Sequence, residues 1–352
     1  MEEKLKELKL FHKSHGWNFP LIKPKILQLS LTNRCNLRCA VCGVDKYATT
    51  PQEEMPLEEI QKVIDVSKKQ FGVESLILTG GEPLLLGKKL ISIVEYADRQ
   101  GIGIILTTNG FFLEEYAAEL AKFKAVRFHV SLDGLKETHN FIRRNPQSFD
   151  RAVAGLKALV SLRKKYGYDH TIAIATLILK NNIDELYDLY NFADELGADS
   201  FDPMPYLPDN TNFSSTEQSA LWPDAADMQK FRSVMERIMA AKTRHIEVGR
   251  NFDLGLTESY YQRNLWSTDW KCFAGFKTLF ITMSDPKLRG AFEPCLFFCK
   301  AHFPIRDANY DLKKLWYSWK AFAARIAIKS CRANCYQICF SLPSMKEAFK
   351  KD

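Results

Sequence analysis

Three cysteines, Cys35, Cys39 and Cys42, stand at C-x3-C-x2-C spacing within residues 31–43, directly beyond the run 26–32. That run alternates strictly, with Leu27, Leu29 and Leu31 on one face and Gln28, Ser30 and Thr32 on the other. Period two with one apolar face is the pattern of a half-buried strand. Thiolate is a soft ligand that selects iron–sulfur clusters, zinc or Cu(I). A structural zinc site or an ordinary four-iron cluster takes four protein ligands. Here no further cysteine or histidine follows until His129. A four-iron cube held by three cysteines leaves one iron open to a substrate, which points to chemistry rather than scaffolding.

From that loop onward, strand and helix patterns alternate without internal repeats. Residues 1–16 read as a short amphipathic helix on Leu5, Leu8, Leu10 and Phe11. Pro56 opens a helix over 57–71, and a short apolar strand over 75–79 ends in Gly80-Gly81. Helices are expected at 87–100, 113–123, 148–165 and 183–197, with strands at 102–108, 126–133, 171–178 and 199–206. Six βα units predict an α/β fold, a parallel sheet covered by helices that forms a partial (β/α)6 TIM-like barrel. Sites in such folds gather at the C-terminal ends of the strands, where the cysteine loop and the Gly-Gly turn fall.

Alternation also predicts what faces the barrel interior. In 127–133, Phe128, Val130 and Leu132 share one face, while Arg127, His129, Ser131 and Asp133 share the other. The last strand repeats this, with Asp202, Met204 and Tyr206 opposite Phe201, Pro203 and Pro205. A polar lumen is costly unless something binds there, so a ligand cavity is expected. Asp202 and Tyr206 are the candidates for proton transfer or substrate contact. Asn109, in Thr107-Thr-Asn-Gly110, ends the third strand and could contact a ligand or merely form its turn. His129 reads first as a hydrogen-bonded interior residue.

The three-cysteine spacing resembles the cluster loop of radical S-adenosylmethionine (radical SAM) enzymes over roughly residues 25–206. Gly80-Gly81-Glu82-Pro83 is similar to that family's motif for the methionine amino group. The run 130–134, followed by His139 and Arg143, is similar to its ribose and carboxylate region. The resemblance implies a [4Fe-4S] cluster whose open iron binds the amino and carboxylate groups of S-adenosylmethionine. Gly80, Gly81, Glu82, Asn109, Ser131, Asp133 and Arg143 would line that cofactor. Reductive cleavage would then yield a 5′-deoxyadenosyl radical. One departure stands out: the residue before the third cysteine is usually aromatic and lies against adenine, but here it is Val41.

The other six cysteines, Cys272, Cys295, Cys299, Cys331, Cys335 and Cys339, all lie beyond residue 270. Cys272 with Gly290-x4-Cys295 resembles the hairpin opening the SPASM and Twitch extensions of radical SAM enzymes, and Cys331-x3-Cys335-x3-Cys339 their closing ligands. One auxiliary [4Fe-4S] cluster is implied, on Cys272, Cys295, Cys331 and Cys335, with Cys339 nearly equivalent to Cys335 and Cys299 a bystander. The competing reading of the ligand types is a zinc ribbon. The chain then divides into an N-terminal extension (1–24), the barrel (25–206), a linker with a lid loop and helix (207–270), and the cluster domain (271–352). Within the linker, Asn251, Phe252, Tyr260, Tyr261 and Trp266 could cap the barrel or pack the junction.

Composition sets the outer bounds. The apolar fraction of 46% supports a sizeable core, and the net charge of +7 is spread along the chain. No basic stripe with interleaved aromatics appears, so nucleic acid is not an expected partner. The charged N-terminus is not a signal peptide and no run is long enough to span a membrane. Nine cysteines then read as metal ligands in a reducing cytoplasm.

The resemblance implies hydrogen abstraction from a carbon of a small-molecule or peptide substrate, fed by a reduced flavodoxin- or ferredoxin-type donor. The 34 residues ahead of Cys35 leave no room within this sequence for a leader-binding domain. That shifts weight toward a small molecule, or a peptide delivered by a separate partner. Residues 132–135 and 149–153 also resemble adenosylhopane synthase, which implies adenosyl transfer to an alkene as an alternative. From a different class, a non-catalytic iron–sulfur electron carrier or zinc-scaffolded binding protein would use the same cysteines without turnover.

Overall fold

The computed structural model describes residues 2–44, 49–208, 220–241, 245–249, 252–283, 290–295, 301–337 and 341–342. Six parallel strands lie side by side in chain order: β1 (Ile26–Ser30), β2 (Ser75–Thr79), β3 (Gly103–Thr108), β4 (Val126–Ser131), β5 (Thr171–Ile178) and β6 (Ser200–Pro205). Between them run α2 (Leu57–Phe71), α3 (Lys88–Arg99), α4 (Leu113–Leu120), α5 (Lys136–Arg143), α6 (Ser148–Tyr166) and α7 (Leu186–Leu196), after an N-terminal α1 (Glu2–Trp17). The apolar face of each strand is buried against these helices, as Leu27, Leu29, Leu76, Leu78, Phe128 and Val130 illustrate. The opposite faces of β1 to β4 remain partly accessible. The six-unit α/β expectation is met.

Local chemistry accounts for the boundaries. In α2, Glu58 and Glu59 occupy the first turn and Lys68 and Lys69 the last, complementing the helix dipole. It stops at Gly72, whose φ of 72° is a left-handed cap. Some ends differ from expectation. β4 stops at Ser131, because the Leu177 N–H bonds to the Asp133 side chain instead of a ladder carbonyl. The helix expected from residue 183 opens with a 3-10 turn, Ile183–Glu185, before α7.

The sheet runs beyond the six strands. β7 (Glu247–Val248) adds in parallel to β6. On the other edge β8 (Thr278–Thr282) pairs in parallel with all of β1, from Ile26 opposite Thr278 to Ser30 opposite Thr282. β9 (Ala291–Phe292) and β10 (Phe303–Pro304) follow antiparallel. The order β10-β9-β8-β1-β2-β3-β4-β5-β6-β7 is open rather than closed. One sheet therefore joins the segment 25–206 to residues beyond 271.

Helices α8 (Ala225–Ala240), α9 (Leu254–Tyr261), α10 (Leu312–Trp316) and α11 (Trp319–Ser330) complete the described chain. Trp316 of α10 is buried and meets Phe71 of α2 edge-on at 6.1 Å between ring centroids. The aromatic group of the linker packs a junction. The Tyr261 hydroxyl donates to the Ile178 carbonyl and accepts from the Tyr206 N–H, and the Tyr260 hydroxyl donates to the Tyr206 carbonyl. Trp266 donates to the Ala333 carbonyl on the C-terminal side. Asn251, Cys299, Cys339 and residues 209–219 of the expected lid loop lie outside the described residues.

Phe128 is fully buried on the helix side of β4, edge-on to His170 at 5.5 Å. Phe128→Ala is expected to lower unfolding free energy by about 3–5 kcal/mol through lost transfer energy and a cavity. Urea denaturation of the metal-free protein checks this, and a loss below about 1 kcal/mol would contradict the packing described.

Candidate active site

The cysteine loop leaves the C-terminal end of β1 and is held there by backbone contact. The Gly81 N–H donates to the Thr32 carbonyl at 2.6 Å and the Glu82 N–H to the Arg34 carbonyl at 2.8 Å. The approach is so close that a Cβ on Gly80 would lie 2.4 Å from the Thr32 carbonyl oxygen, and one on Gly81 2.1 Å from that of Arg34. Only glycine fits at either place, and Gly80 also has φ of 139°. These residues thus shape the cysteine loop directly. A second anchor was not visible in the sequence: the buried Glu54 carboxylate accepts from Thr32 Oγ1 at 2.6 Å and Arg34 Nε at 2.7 Å. Glu54 and Arg34 are 20 residues apart with no motif to mark the pair.

Each thiol meets a nitrogen donor. The Leu37 N–H points at Cys35 Sγ and the Val44 N–H at Cys42 Sγ, both at 3.5 Å. Asn109 Nδ2 lies 3.8 Å from Cys35 Sγ, and an Arg143 guanidinium nitrogen 3.9 Å from Cys39 Sγ. Burial pushes the Cys35 thiol up to about 11, and Glu82, Cys39 and Cys42 push the same way. Burial also raises Cys39, with Arg143 opposing. Such thiols become thiolates when cationic metal replaces their protons. Among the described residues no three Cys, His, Asp or Glu side chains converge tightly enough for a single metal ion. Three thiols on one loop, each met by a nitrogen donor, are a donor set that fits an iron–sulfur cluster.

Glu82 lies beneath this loop, fully buried. Its carboxylate accepts from the Leu84 N–H, Thr108 Oγ1 and the Asn109 N–H at 2.7–3.0 Å. Burial raises its pKa, while these donors oppose the rise. The side chain therefore binds β3 to the loop beyond β2 and orients Asn109, whose amide reaches Cys35 and Asn36. Asp133 departs from the lumen face expected for it. It is buried, its carboxylate accepts the Leu177 N–H at 2.9 Å, and it pairs with Arg143 at 2.6 Å. Asp133 thus carries Arg143 toward Cys39. His139 Nδ1 accepts the Asp133 N–H and its Nε2 meets Ser148 Oγ at 3.0 Å. Ser131 ends β4 on the accessible face.

In the lumen, Asp202 meets His129 Nε2 at 3.1 Å, Arg127 at 3.2 Å and Ser200 Oγ at 2.8 Å. Burial favours its neutral form, but His129, Arg127 and Ser200 outweigh that and lower its pKa. Asp202 is therefore an ionised acceptor at neutral pH. Tyr206, expected beside it, lies elsewhere. β6 ends at Pro205, and Tyr206 packs in a buried group with Ala40, Ile142, Leu179 and Leu221, against Val41. An aromatic ring thus reaches the cysteine loop from β6, beside the position where Val41 stands.

The second cysteine group is partly assembled. Cys272 and Cys295 pack against Ala274 and Ile328, and the Cys331 N–H bonds to the Ile328 carbonyl. The Ala333 N–H points at Cys331 Sγ at 3.4 Å. Cys335 lies four residues on, beside the buried Tyr336.

This geometry, a three-thiol loop at the C-terminal mouth of an open parallel α/β barrel, defines a class. Residues 29–193 match the model of the Radical SAM superfamily. Radical SAM domains take a [4Fe-4S] cluster and S-adenosylmethionine. Among curated proteins, the chain is 32% identical to AdoMet-dependent heme synthase of Methanosarcina barkeri over 56% of this chain and 54% of that protein. It is 35% identical to a probable GTP 3′,8-cyclase of Methanothermobacter thermautotrophicus over 49% of this chain and 54% of that protein. The match thus spans about half the length of these relatives. In fold it is similar to SuiB of Streptococcus suis bound to S-adenosylmethionine, at a TM-score of 0.66 and 17% identity, over 90% of this chain and 70% of that one. It is also similar to anSMEcpe with bound AdoMet, at a TM-score of 0.62 and 22% identity, over 85% and 79%.

Burial holds His139 well below its usual value, and Arg143 adds to this. The unfolded chain takes up a proton near pH 6.5 that the folded chain refuses. His139 therefore contributes stability fully above pH 6.5 and loses it as pH falls toward the folded value. Unfolding free energy is expected to fall below pH 6.5 by up to about 1.4 kcal/mol per pH unit from this residue. His139→Gln should flatten the slope, measured by urea denaturation at pH 7, 6 and 5.

Proposed function

We propose that the chain is a radical SAM enzyme that abstracts hydrogen from a carbon of a small-molecule or peptide substrate. The observation that carries this reading is the placement of Cys35, Cys39 and Cys42, each met by a nitrogen donor, above a lumen bearing Arg127, His129, Ser131 and Asp202. Bound [4Fe-4S] cluster and S-adenosylmethionine supply a 5′-deoxyadenosyl radical after one-electron reduction, here by a flavodoxin- or ferredoxin-type donor. Cys35, Cys39 and Cys42 hold the cluster. The Gly80–Gly81 backbone, Asn109, Ser131 and Arg143 hold the cofactor, positioned by Glu82 and Asp133. The ionised Asp202 orients substrate as an acceptor, and Tyr206 closes the apolar side next to Val41.

Cys272, Cys295, Cys331 and Cys335 hold an auxiliary [4Fe-4S] cluster in a C-terminal unit that shares the barrel's sheet. The substrate range follows the relatives: a nucleotide for the GTP cyclases, and peptides for SuiB, seen with precursor peptide SuiA, and anSMEcpe, seen with the Cp18Cys peptide. The protein's part is to orient the substrate and to exclude water and stray hydrogen donors.

Anaerobic reconstitution tests the reading. Protein supplied with iron and sulfide is expected to bind about eight irons per chain, and to release 5′-deoxyadenosine from S-adenosylmethionine with dithionite. Replacing Cys35, Cys39 and Cys42 together by Ser should remove about four irons and all 5′-deoxyadenosine. Replacing Cys272 and Cys331 should remove the other set and leave cleavage measurable. Retained cleavage in the triple variant would overturn the proposal.

A further inference from the structure

The site leaves one surface unexplained. Trp319 is 77% exposed, Trp17 68%, Ile326 48%, Phe19 46%, Leu10 40% and Leu21 38%. These side chains belong to the end of α1, the segment after it, and α11, which touch one another. The Asn18 side chain donates to the Phe322 carbonyl at 3.0 Å, and Lys329 Nζ to the Gly16 carbonyl at 3.1 Å. The Phe19 ring lies 5.7 Å from Tyr317, and Trp319 stacks on Phe322 at 4.9 Å. On α11, residues 319, 322, 326 and 329 follow helical spacing along one face. On α1, Leu10, Lys13 and Trp17 do the same. The result is a set of protruding apolar tips on adjoining elements with no protein cover among the described residues.

Charge identifies what suits it. No Asp or Glu occurs between Glu7 and Asp45, or between Asp311 and Glu347. Those stretches supply Lys9, Lys13 and Lys23 on one side and Lys313, Lys314, Lys320, Lys329 and Arg332 on the other. The carboxylates of α1, Glu2, Glu3 and Glu7, lie in its first two turns, away from Trp17. Asp311, at the start of α10, is engaged by Gln70 and the Lys314 N–H. Protein–protein interfaces are depleted in Lys and enriched in Arg, and this surface is the reverse. Trp, Phe and Leu among lysines, without carboxylates, is the composition of helices that lie in the headgroup layer of anionic membranes.

We propose that the face formed by the end of α1, residues 17–21 and α11 docks the protein peripherally on an anionic lipid bilayer. Trp17, Phe19, Trp319 and Ile326 enter the interface, while Lys13, Lys320 and neighbouring lysines meet the headgroups. No helix among the described residues is long and apolar enough to cross a membrane, and this contact requires none. It is independent of the reading of the active site, because it uses none of the site's residues.

Co-sedimentation of the full chain with vesicles tests the proposal. The protein should pellet with vesicles of phosphatidylcholine containing one-third phosphatidylglycerol (roughly a cytoplasmic-leaflet charge) and be released by raised salt. Phosphatidylcholine alone should retain it about tenfold more weakly. Trp17→Ala with Trp319→Ala, and separately Lys13→Glu with Lys320→Glu, should each weaken partitioning about tenfold. Because these side chains are exposed, unchanged circular dichroism and thermal midpoint separate the effect from misfolding. Trp17→Phe with Trp319→Phe should keep partitioning but lose the tryptophan quenching caused by brominated lipid. Absence of pelleting with anionic vesicles, equal binding to neutral ones, or undiminished binding by the Ala and Glu variants would overturn the proposal. Capture of an acidic protein without vesicle binding would overturn it as well.

Discussion

A single buried carboxylate organises the mouth of the barrel. Glu82 accepts three hydrogen bonds in a fully buried position, from its own turn and from Thr108 and Asn109 at the end of β3. Burial alone would favour its neutral form, and a buried carboxylate left unpaired would destabilise the fold. The three donors offset part of that cost and lock the ends of β2 and β3 together. Gly80 and Gly81, immediately before Glu82, press against the backbone of Thr32 to Arg34. The cysteine loop is therefore held by the same turn that positions Asn109 against Cys35.

The remainder of the site repeats this logic of one charged group fixing another. Asp133 fixes Arg143, and Arg143 faces Cys39. Glu54 fixes Arg34 and Thr32 at the root of the loop. Arg127 and His129 keep Asp202 ionised in the lumen. The Asp133–Arg143 pair is the most buried of these, and there paired charges are strongly coupled and unpaired ones are costly. The C-terminal segment is joined by other means. β8 extends the sheet alongside β1, and the hydroxyls of Tyr260 and Tyr261 seize the backbone at Tyr206 and Ile178. The second cysteine group thus stands on the same scaffold as the first.

Much of this was legible beforehand because the signals are local. Helix α2 and strands β2 and β5 run over the residues that periodicity marks, and the Arg127, His129, Ser131 face is the partly accessible face of β4. Strand ends were less legible. Asp133 and Tyr206 continue the alternating faces in the sequence, but both lie past the last paired residue, where side-chain hydrogen bonding and packing replace the pleat. Glu54, Asn182 and Gly249 gave no sequence signal. Asn182 bridges the Asp133 and Leu177 carbonyls, and Gly249 leaves room for Asp202, across separations no periodicity encodes.

What the sequence determined by itself was the alternation of strands and helices and the presence of three thiols on one short loop. Both follow from residue spacing over a few turns or pleats, where covalent geometry dictates which side chains are neighbours. The tertiary structure alone decided which donors face those thiols, that Glu82 and Asp133 act as clamps, and that β8 lies against β1. It also brought the aromatic end of α1 onto α11. Those outcomes depend on burial, which sets both the cost of an unpaired group and the strength of a paired one, and burial is a property of the folded whole.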